Sequence, residues 1–373
     1  MNSTFTGINQ SRAAYGLSYG GPAEGVVVSN SRFSSNRNHG IALCGVNGLT
    51  LVDVTSTENV QYGWYIDGPV ENTTITDCSS IDNISTGVVL NTASCTGMLF
   101  EYFTSRGNGG NGYTIINAGT EITFKNCDGS DNRGDGFNVC NGWCGVLFDG
   151  CRADSCGDAD HAGSGDGFTT HNTASITMRY CSARDNYKSG FAGVGDSDVR
   201  IYYSRFSHAT NGIIGMIFMS GTGEIILHNN TIYSGATNVG AGIDVAAGCC
   251  ADIRNNIIRG FSVGIAVGAG ASLIEGHNNI FLSANRGMGF PISSSDVSYD
   301  PWFYNGQNDL RIRRGSGCVN KGTGLGYNRD YGNNPIRGNP DIGSWEVVNS
   351  GSGIVPMGEP YFKGGRFGWG INH

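Results

Sequence analysis

Three stretches decide the fold when they are set one above another. They are Cys78-Ser-Ser-Ile-Asp-Asn83-Ile-Ser-Thr-Gly87-Val88, Phe103-Thr-Ser-Arg-Gly-Asn108-Gly-Gly-Asn-Gly112-Tyr113 and Cys127-Asp-Gly-Ser-Asp-Asn132-Arg-Gly-Asp-Gly136-Phe137. Each places a cysteine or phenylalanine, an asparagine, and a glycine followed by an apolar residue in one register. Outward from this block the glycine step continues through Gly40-Ile41, Gly63-Trp64, Gly167-Phe168, Gly190-Phe191, Gly242-Ile243 and Gly264-Ile265, at a spacing of about 24 residues. The asparagine step runs Asn36, Asn59, Asn83, Asn108, Asn132, Asn186 and Asn211. A third ladder reads Phe33, Val54, Cys78, Phe103, Cys127, Cys151, Cys181 and Phe206.

Between the ladders, short runs of Val, Ile and Phe alternate with Gly, Asn, Ser and Thr, the pattern of strands separated by bends. A single period cannot bury its own apolar face, so successive periods must stack into one long core. Asparagine is expected to occupy left-handed turn positions and to hydrogen-bond along the stack. Glycine is expected to let the chain re-enter a strand at a sharp angle. The reading predicts an all-β, right-handed parallel β-helix of about ten coils over residues 1–285. An irregular closing segment follows over 286–350, with Asn305 to Glu346 shielding the last coil, and then a Gly/aromatic-rich tail over 351–373. Leucine-rich repeats, the nearest rival, need a leucine spacing and a helical half that are missing.

Composition excludes other classes. Sixty-one glycines with only 8 prolines, and no glycine at every third position, rule out collagen. A net charge of −8 argues against nucleic acid as a partner. No apolar run reaches the roughly 18 residues that a membrane span requires. The opening MNSTFTGINQSRAAYG lacks the charged and apolar regions of a signal peptide, so the chain reads as trimmed, internal to a longer protein, or exported by another route. Twelve cysteines fit an extracellular protein. Those in the third ladder alternate with phenylalanine and read as buried core thiols. Local disulfides Cys140–Cys144 or Cys151–Cys156 are the alternative, and Cys249-Cys250 would point to different coils. Cys140-Asn-Gly-Trp-Cys144 has no second ligand pair for zinc.

The repeat breaks between Cys151 and Gly167, where about seven extra residues enter one period. The inserted text, Gly157-Asp-Ala-Asp-His-Ala-Gly-Ser-Gly-Asp166, sets three aspartates and a histidine in an otherwise charge-poor chain. The period of two points Phe168 and Thr170 inward, and Thr169 and His171 outward beside the insertion. Flanking periods add Asp131, Arg133 and Asp135, then Arg184, Asp185, Tyr187 and Lys188. The candidate catalytic residues are therefore His171, Asp158, Asp160, Asp166 and Tyr187. Candidate substrate-binding residues are His161, Thr169, Arg133, Asp135, Arg184 and Lys188. No cofactor is required, although the aspartates could hold calcium through oxygen ligands. His39, His208, His228 and His277 read as structural.

Two resemblances add to this. The segments Asp300-Pro-Trp-Phe, Asn308-Asp-Leu-Arg-Ile-Arg-Arg-Gly-Ser-Gly-Cys-Val-Asn-Lys-Gly and Asn339-Pro-Asp-Ile-Gly-Ser-Trp-Glu346 resemble the closing part of secreted bacterial parallel β-helix proteins. That group, the pectate-lyase-like superfamily, includes carbohydrate-active enzymes. The coil from Gly167 to Phe191 resembles the catalytic coil of alginate C5-epimerases, whose Tyr-Gly-Phe-Asp-Pro-His motif supplies three functional residues. His171 matches the histidine, while Asp166 stands at the tyrosine position and Thr169 at the aspartate position.

The resemblances imply an extracellular protein that binds, and modifies, a polysaccharide. As a lyase or epimerase, His171 or Tyr187 would abstract the proton beside a uronic carboxylate neutralised by Lys188, Arg184 or Arg133. As a glycoside hydrolase, two of Asp158, Asp160 and Asp166 would serve as acid and base. The non-enzymatic alternative is an adhesin, filament subunit or phage-fibre module, with oligomerisation through the C-terminal tail.

Overall fold

Alternation at every second position gives each short run one dry and one wet face, and the computed structural model stacks these runs into a parallel solenoid of about 10 turns. It describes residues 3–6, 9–11, 14–92, 94–117, 119–142, 144–161, 164–172, 174–208, 214–219, 221–236 and 239–347. A complete coil gives one strand to each of three sheets. In one coil these are Phe168–His171 in the first sheet, Ser175–Arg179 in the second and Ser182–Arg184 in the third. Phe168 pairs in parallel with Phe137 and Phe191, Ile176 with Val146 and Val199, and Ala183 with Ala153 and Phe206. Among the described residues no helix is long and apolar enough to cross a membrane.

Because pairing is in register, like side chains stack on like. Tyr113, Phe137 and Phe168 form one column, with ring centroids 4.4 and 4.9 Å apart. Phe100, Phe124 and Phe148 form a second at 5.0 and 5.2 Å, and the two columns meet edge to face.

The asparagine ladder is buried and continuous from Asn36 to Asn132. Asn59 Nδ2 donates to Asn83 Oδ1 at 2.8 Å, Asn83 to Asn108 at 2.9 Å and Asn108 to Asn132 at 2.9 Å. The left-handed turn position belongs to the residue before it: Ser35, Glu58, Asp82, Gly107 and Asp131 have φ of 53, 56, 53, 67 and 57°. The asparagines are therefore selected for hydrogen bonding. The ladder glycines also differ from expectation, since none takes a left-handed φ. A Cβ on Gly63 would lie 1.9 Å from Ser80 Oγ, which itself donates to Gly87 O at 2.8 Å. Steric exclusion by the neighbouring coil, repeated at Gly40 and Gly87, fixes glycine there. Gly16 and Gly215 join the same ladder.

The third ladder needs two corrections. Val54 pairs with Ser31, and Cys181 is followed by Ser204, while Phe33 and Phe206 sit two residues along, opposite Ser56 and Ala183. From Ser204 onward this apolar ladder turns polar. Ser204 N donates to Asn230 Oδ1, Asn230 to Asn256 and Asn256 to Asn278, and Asp296 ends the run by accepting from Asn278 N at 2.7 Å. Asn211 lies outside the described residues.

Cys78, Cys127, Cys151 and Cys181 are buried free thiols. The sulfurs of Cys127, Cys151 and Cys181 donate to the carbonyls of Phe100, Phe124 and Phe148, at 3.4, 3.2 and 3.5 Å. Burial pushes the Cys78 thiol up to about 12 and holds Cys151 well above its ordinary value. Cys156 is free as well, which removes the Cys151–Cys156 pairing, and the side chain of Cys144 lies outside the described residues.

The closing segment departs from the expected plug. Val297 pairs beside Asn279 on the last coil, but the chain then runs back along the solenoid. Gly343 N donates to Asn255 O, Ser344 Oγ to Thr231 Oγ1 and Arg205 Nη2 to Tyr331 Oη. Polar residues at the bends and on the outer rows of the third sheet supply these partners, which an apolar flank could not. The tail 351–373 lies outside the described residues.

Thiol labelling of the native protein is expected to be fast at the exposed Cys44 and Cys250 and slow at Cys127, Cys151 and Cys181. Cys151→Ser should destabilise by about 1–3 kcal/mol in denaturant titrations. Fast labelling of all three ladder thiols would contradict the inward phase.

Candidate functional site

One column of side chains organises the site. It consists of the residue preceding each ladder glycine from Gly16 to Gly190: Tyr15, His39, Tyr62, Thr86, Asn111, Asp135, Asp166 and Ser189. From Asn111 to Asp166, each accepts the backbone N–H of its successor. Asp135 N donates to Asn111 Oδ1 at 2.8 Å, Asp166 N to Asp135 Oδ1 at 3.0 Å and Ser189 N to Asp166 Oδ1 at 3.0 Å. A turn whose N–H groups point along the stack needs such acceptors.

The insertion opens where the asparagine ladder fails. Cys156 occupies the ladder position, and Asn132 Nδ2 turns instead to the carbonyls of Ser105 and Gly129, each at 2.8 Å. Gly157 and Gly165 then pinch together, with φ of 85 and 110°, and a Cβ on Gly157 would fall 2.4 Å from Gly165 Cα. Tyr187 packs on this neck: its N donates to Cys156 O, and Lys188 N donates to Gly165 O. Among the described residues, the loop beyond contains one 3₁₀ turn, Ala159–His161.

Within this frame the two column aspartates differ. Asp135 uses both oxygens inside the protein: Oδ1 accepts from Gly165 N and Asp166 N, and Oδ2 from Asn138 Nδ2. It braces the neck, and its oxygens are committed where a substrate contact was expected. Asp166 binds Ser189 N and Ser189 Oγ through Oδ1 alone, and its Oδ2 has no hydrogen-bond partner among the described residues. Burial raises its carboxyl to about 6; Ser189 and Lys188 oppose the rise and the Asp135 charge adds to it. A carboxyl that is part-protonated near neutral pH, with one oxygen uncommitted, can donate a proton.

The other expected residues separate into distinct places. His171 is half-buried at the far end of its strand, five residues from Asp166, on the order of 16 Å in extended chain. The two cannot act on one bond. Thr169 does not present itself to a ligand: it is 4 % exposed, and its Oγ1 has no hydrogen-bond partner among the described residues. Alternation fixed its direction, but this part of the face is covered. Arg184 stands across the bend on the third sheet, away from His171, with Nε 3.3 Å from Asp185. Arg133 Nε lies 3.6 Å from Asp158 Oδ2, and Asp160 N donates to Asp158 Oδ1, so Asp158 is tied within the loop while Asp160 is exposed. The His161 side chain lies outside the described residues. No cluster of three or more metal-ligating side chains gathers among the described residues.

Sequence reasoning missed Ser189 and Asn138 as partners of the aspartates. It also missed the aromatic end of the column, where His39 stacks against both Tyr62 and Tyr65 at 5.0 and 4.9 Å. The signal was present as the position before each ladder glycine.

Fold and ladders together define a right-handed parallel β-helix. Residues 1–128 and 95–238 match the family described as right handed beta helix region, and the chain belongs to that family. Among solved structures, pectate lyase Pel9A aligns with a TM-score of 0.55 and 19% identity over 93% of this chain and 86% of the other. The catalytic unit of a GH87 alpha-1,3-glucanase from Streptomyces thermodiastaticus aligns at 0.51 and 11% identity, over 73% and 62%. An Azotobacter vinelandii mannuronan C-5 epimerase A-module, AlgE6, aligns at 0.47 and 12% identity, over 80% and 91%. At such identities the likeness is one of fold. No curated protein sequence matches the chain significantly.

The raised Asp166 carboxyl has a stability consequence. Its folded value lies above that of the unfolded chain, so the stability it contributes is full in acid and is lost as pH rises through about 6. Asp166→Asn keeps an acceptor for Ser189 and removes the charge. The variant is expected to melt at or above wild type near pH 7.5, measured by calorimetry. A large drop in melting temperature there would show that the charged form holds the turn together.

Proposed function

We propose that this protein binds and modifies an extracellular polysaccharide at the first-sheet edge, with Asp166 as the proton donor. The observation that carries this reading is the uncommitted oxygen of Asp166, held near pKa 6 at the pinched base of the loop. Tyr187 and Lys188 stand beside it. The loop offers Asp158 and Asp160 directly beyond the neck, so a second carboxyl is at hand to activate water, the division of labour that glycoside hydrolysis needs. His171, further along the strand, is assigned to holding a neighbouring sugar.

An extended substrate is supported by the aromatic step around Tyr62 and Tyr65. It lies on the same sheet, four coils before Phe168, or roughly 19 Å away at the usual strand spacing. Aromatic faces in such positions suit sugar rings, and Tyr15 and Tyr62 are open to solvent in part. Two solved structures that align above a TM-score of 0.5 are, by their names, a pectate lyase and a glucanase, which agrees with a polysaccharide partner in general terms. Calcium has no role in this reading.

Screening uronate and neutral glycans by reducing-end release and by absorbance of unsaturated uronates tests it. Reducing ends are expected to appear without the absorbing product. Asp166→Asn should lower turnover roughly a hundredfold or more, and wild-type turnover should fall as pH rises through about 6. His171→Ala is expected to raise KM more than it lowers kcat. Unsaturated product would replace hydrolysis with elimination. Full activity of Asp166→Asn would remove the proposed donor, and a protein that neither binds nor alters any glycan would leave the scaffold alternative.

A further inference from the structure

At its C-terminal end the apolar core of the solenoid finishes in acid. Strand Ser272–Gly276 closes the second sheet and strand Asn285–Met288 the first. Register sets Leu273 against Ala251 and Glu275 against Ile253, both buried in the coil before, so Glu275 points inward while Ile274 points out. Glu275 thus ends the inward column that runs Phe148, Met178, Ile201, Leu227 and Ile253. Asp296 ends another column, the asparagine run through Asn278. The two ends meet, with the carboxyls of Glu275 and Asp296 within hydrogen-bond reach of each other.

Each carboxyl commits one oxygen to the backbone. Glu275 Oε1 accepts from Ser293 N at 2.6 Å, and Asp296 Oδ1 accepts from Asn278 N at 2.7 Å. The second oxygens, Glu275 Oε2 and Asp296 Oδ2, are buried and have no hydrogen-bond partner among the described residues. Two adjacent acceptors without a donor are costly, and two adjacent negative charges more so. One proton held between them removes both costs. Burial, and next the Asp296 carboxyl, push Glu275 up to about 8, against the opposing bonds from Ser293 N and Asn278. The other charges around the pair are turned elsewhere. On the adjoining strand Cys250–Arg254, Asp252 and Arg254 bind each other on the outer face. His277 directs Nδ1 to Lys321 O, Arg286 donates to Val297 O, and Asp300 accepts from Trp302 N.

The stretch 289–299, before the chain turns back along the solenoid, covers the end of the core. Phe290 and Ile292 pack against the core, Val297 N donates to Asn278 O and Ile280 N to Val297 O. We propose that Glu275 and Asp296 share one proton and so clasp this stretch over the last coil, and that the clasp loosens when the medium turns mildly alkaline. The folded value of Glu275 lies above that of the unfolded chain, so the stability it contributes is full in acid and is lost as pH rises through about 8. Above that pH two like charges stand in contact at the cap, while the coils behind it keep their pairing. The clasp is independent of the saccharide reading.

Hydrogen–deuterium exchange of the full chain, corrected for the intrinsic exchange rate, tests the clasp. Between about pH 6.5 and about pH 9, protection of peptides covering 289–299 is expected to fall roughly thirtyfold, the change that one group at about 8 produces. Glu275→Gln puts an amide donor where the proton was, and Asp296→Asn does so from the other side. Both variants are expected to keep the protection and lose its pH dependence. Unchanged protection in wild type would overturn the proposal, as would a fall of the same size in Glu275→Gln. Should Glu275→Gln fail to fold, NMR titration of the carboxyl carbons decides. Wild type is expected to show Glu275 and Glu346 titrating near pH 8, and Asp296→Asn only Glu346. Equal numbers in the two proteins would overturn the pairing.

Discussion

The structure depends on a single requirement: a backbone N–H at a bend must find its acceptor in the next coil. Within the strands the sheet ladders meet this need, but at the bends the carbonyls of adjacent coils do not serve every donor. Side chains fill the gap in three columns. The Asn36–Asn132 ladder serves one bend, the Ser204–Asn278 ladder a second, and the Asn111–Ser189 column the entry to the first sheet. Removing one member leaves a buried donor unsatisfied, which costs roughly 1–3 kcal/mol. The glycine ladder follows from the same demand, because serine hydroxyls bonded to glycine carbonyls leave no space for a Cβ.

Where a column member changes chemistry, the scaffold gains a site. Asp135 and Asp166 stand where Asn111 and Ser189 stand in neighbouring coils, and they do the same structural work. Asp135 is fully occupied by that work. Asp166 performs it with one oxygen and keeps the other, and burial among like charges keeps its proton on to higher pH. The replacement of asparagine by Cys156 marks where the loop could be admitted, since the ladder there had already lost its side-chain link. A site of this kind arises from the repeat by small substitutions and one insertion.

The returning segment gives the molecule a second kind of surface. Solenoid flanks are usually shallow, yet here Tyr331, stacked on Arg205, turns the outward side chains of three third-sheet strands into a partly open cavity. The same segment buries acids against the coils. Burial raises Asp330 to about 6 and Glu346 to about 8, so its attachment weakens as the medium turns alkaline.

The sequence by itself determined the coil. Period, strand phase, the asparagine ladder and the buried cysteines all follow from spacing, because every coil repeats one local solution and neighbours in space are one period apart in the chain. It also located the insertion and its acids. What it could not settle was anything that depends on which side chain reaches which partner. Phe33 and Phe206 slipped by two residues because phenylalanine fits two adjacent inward positions equally well. Thr169 was given an outward direction without the cover that closes over it, and Arg184 was grouped with His171 although a bend turns it to another sheet. The difference between Asp135 and Asp166, and the cavity walled by Tyr331, were decided by tertiary structure, because both rest on hydrogen bonds and packing between segments whose separation in sequence carries no period.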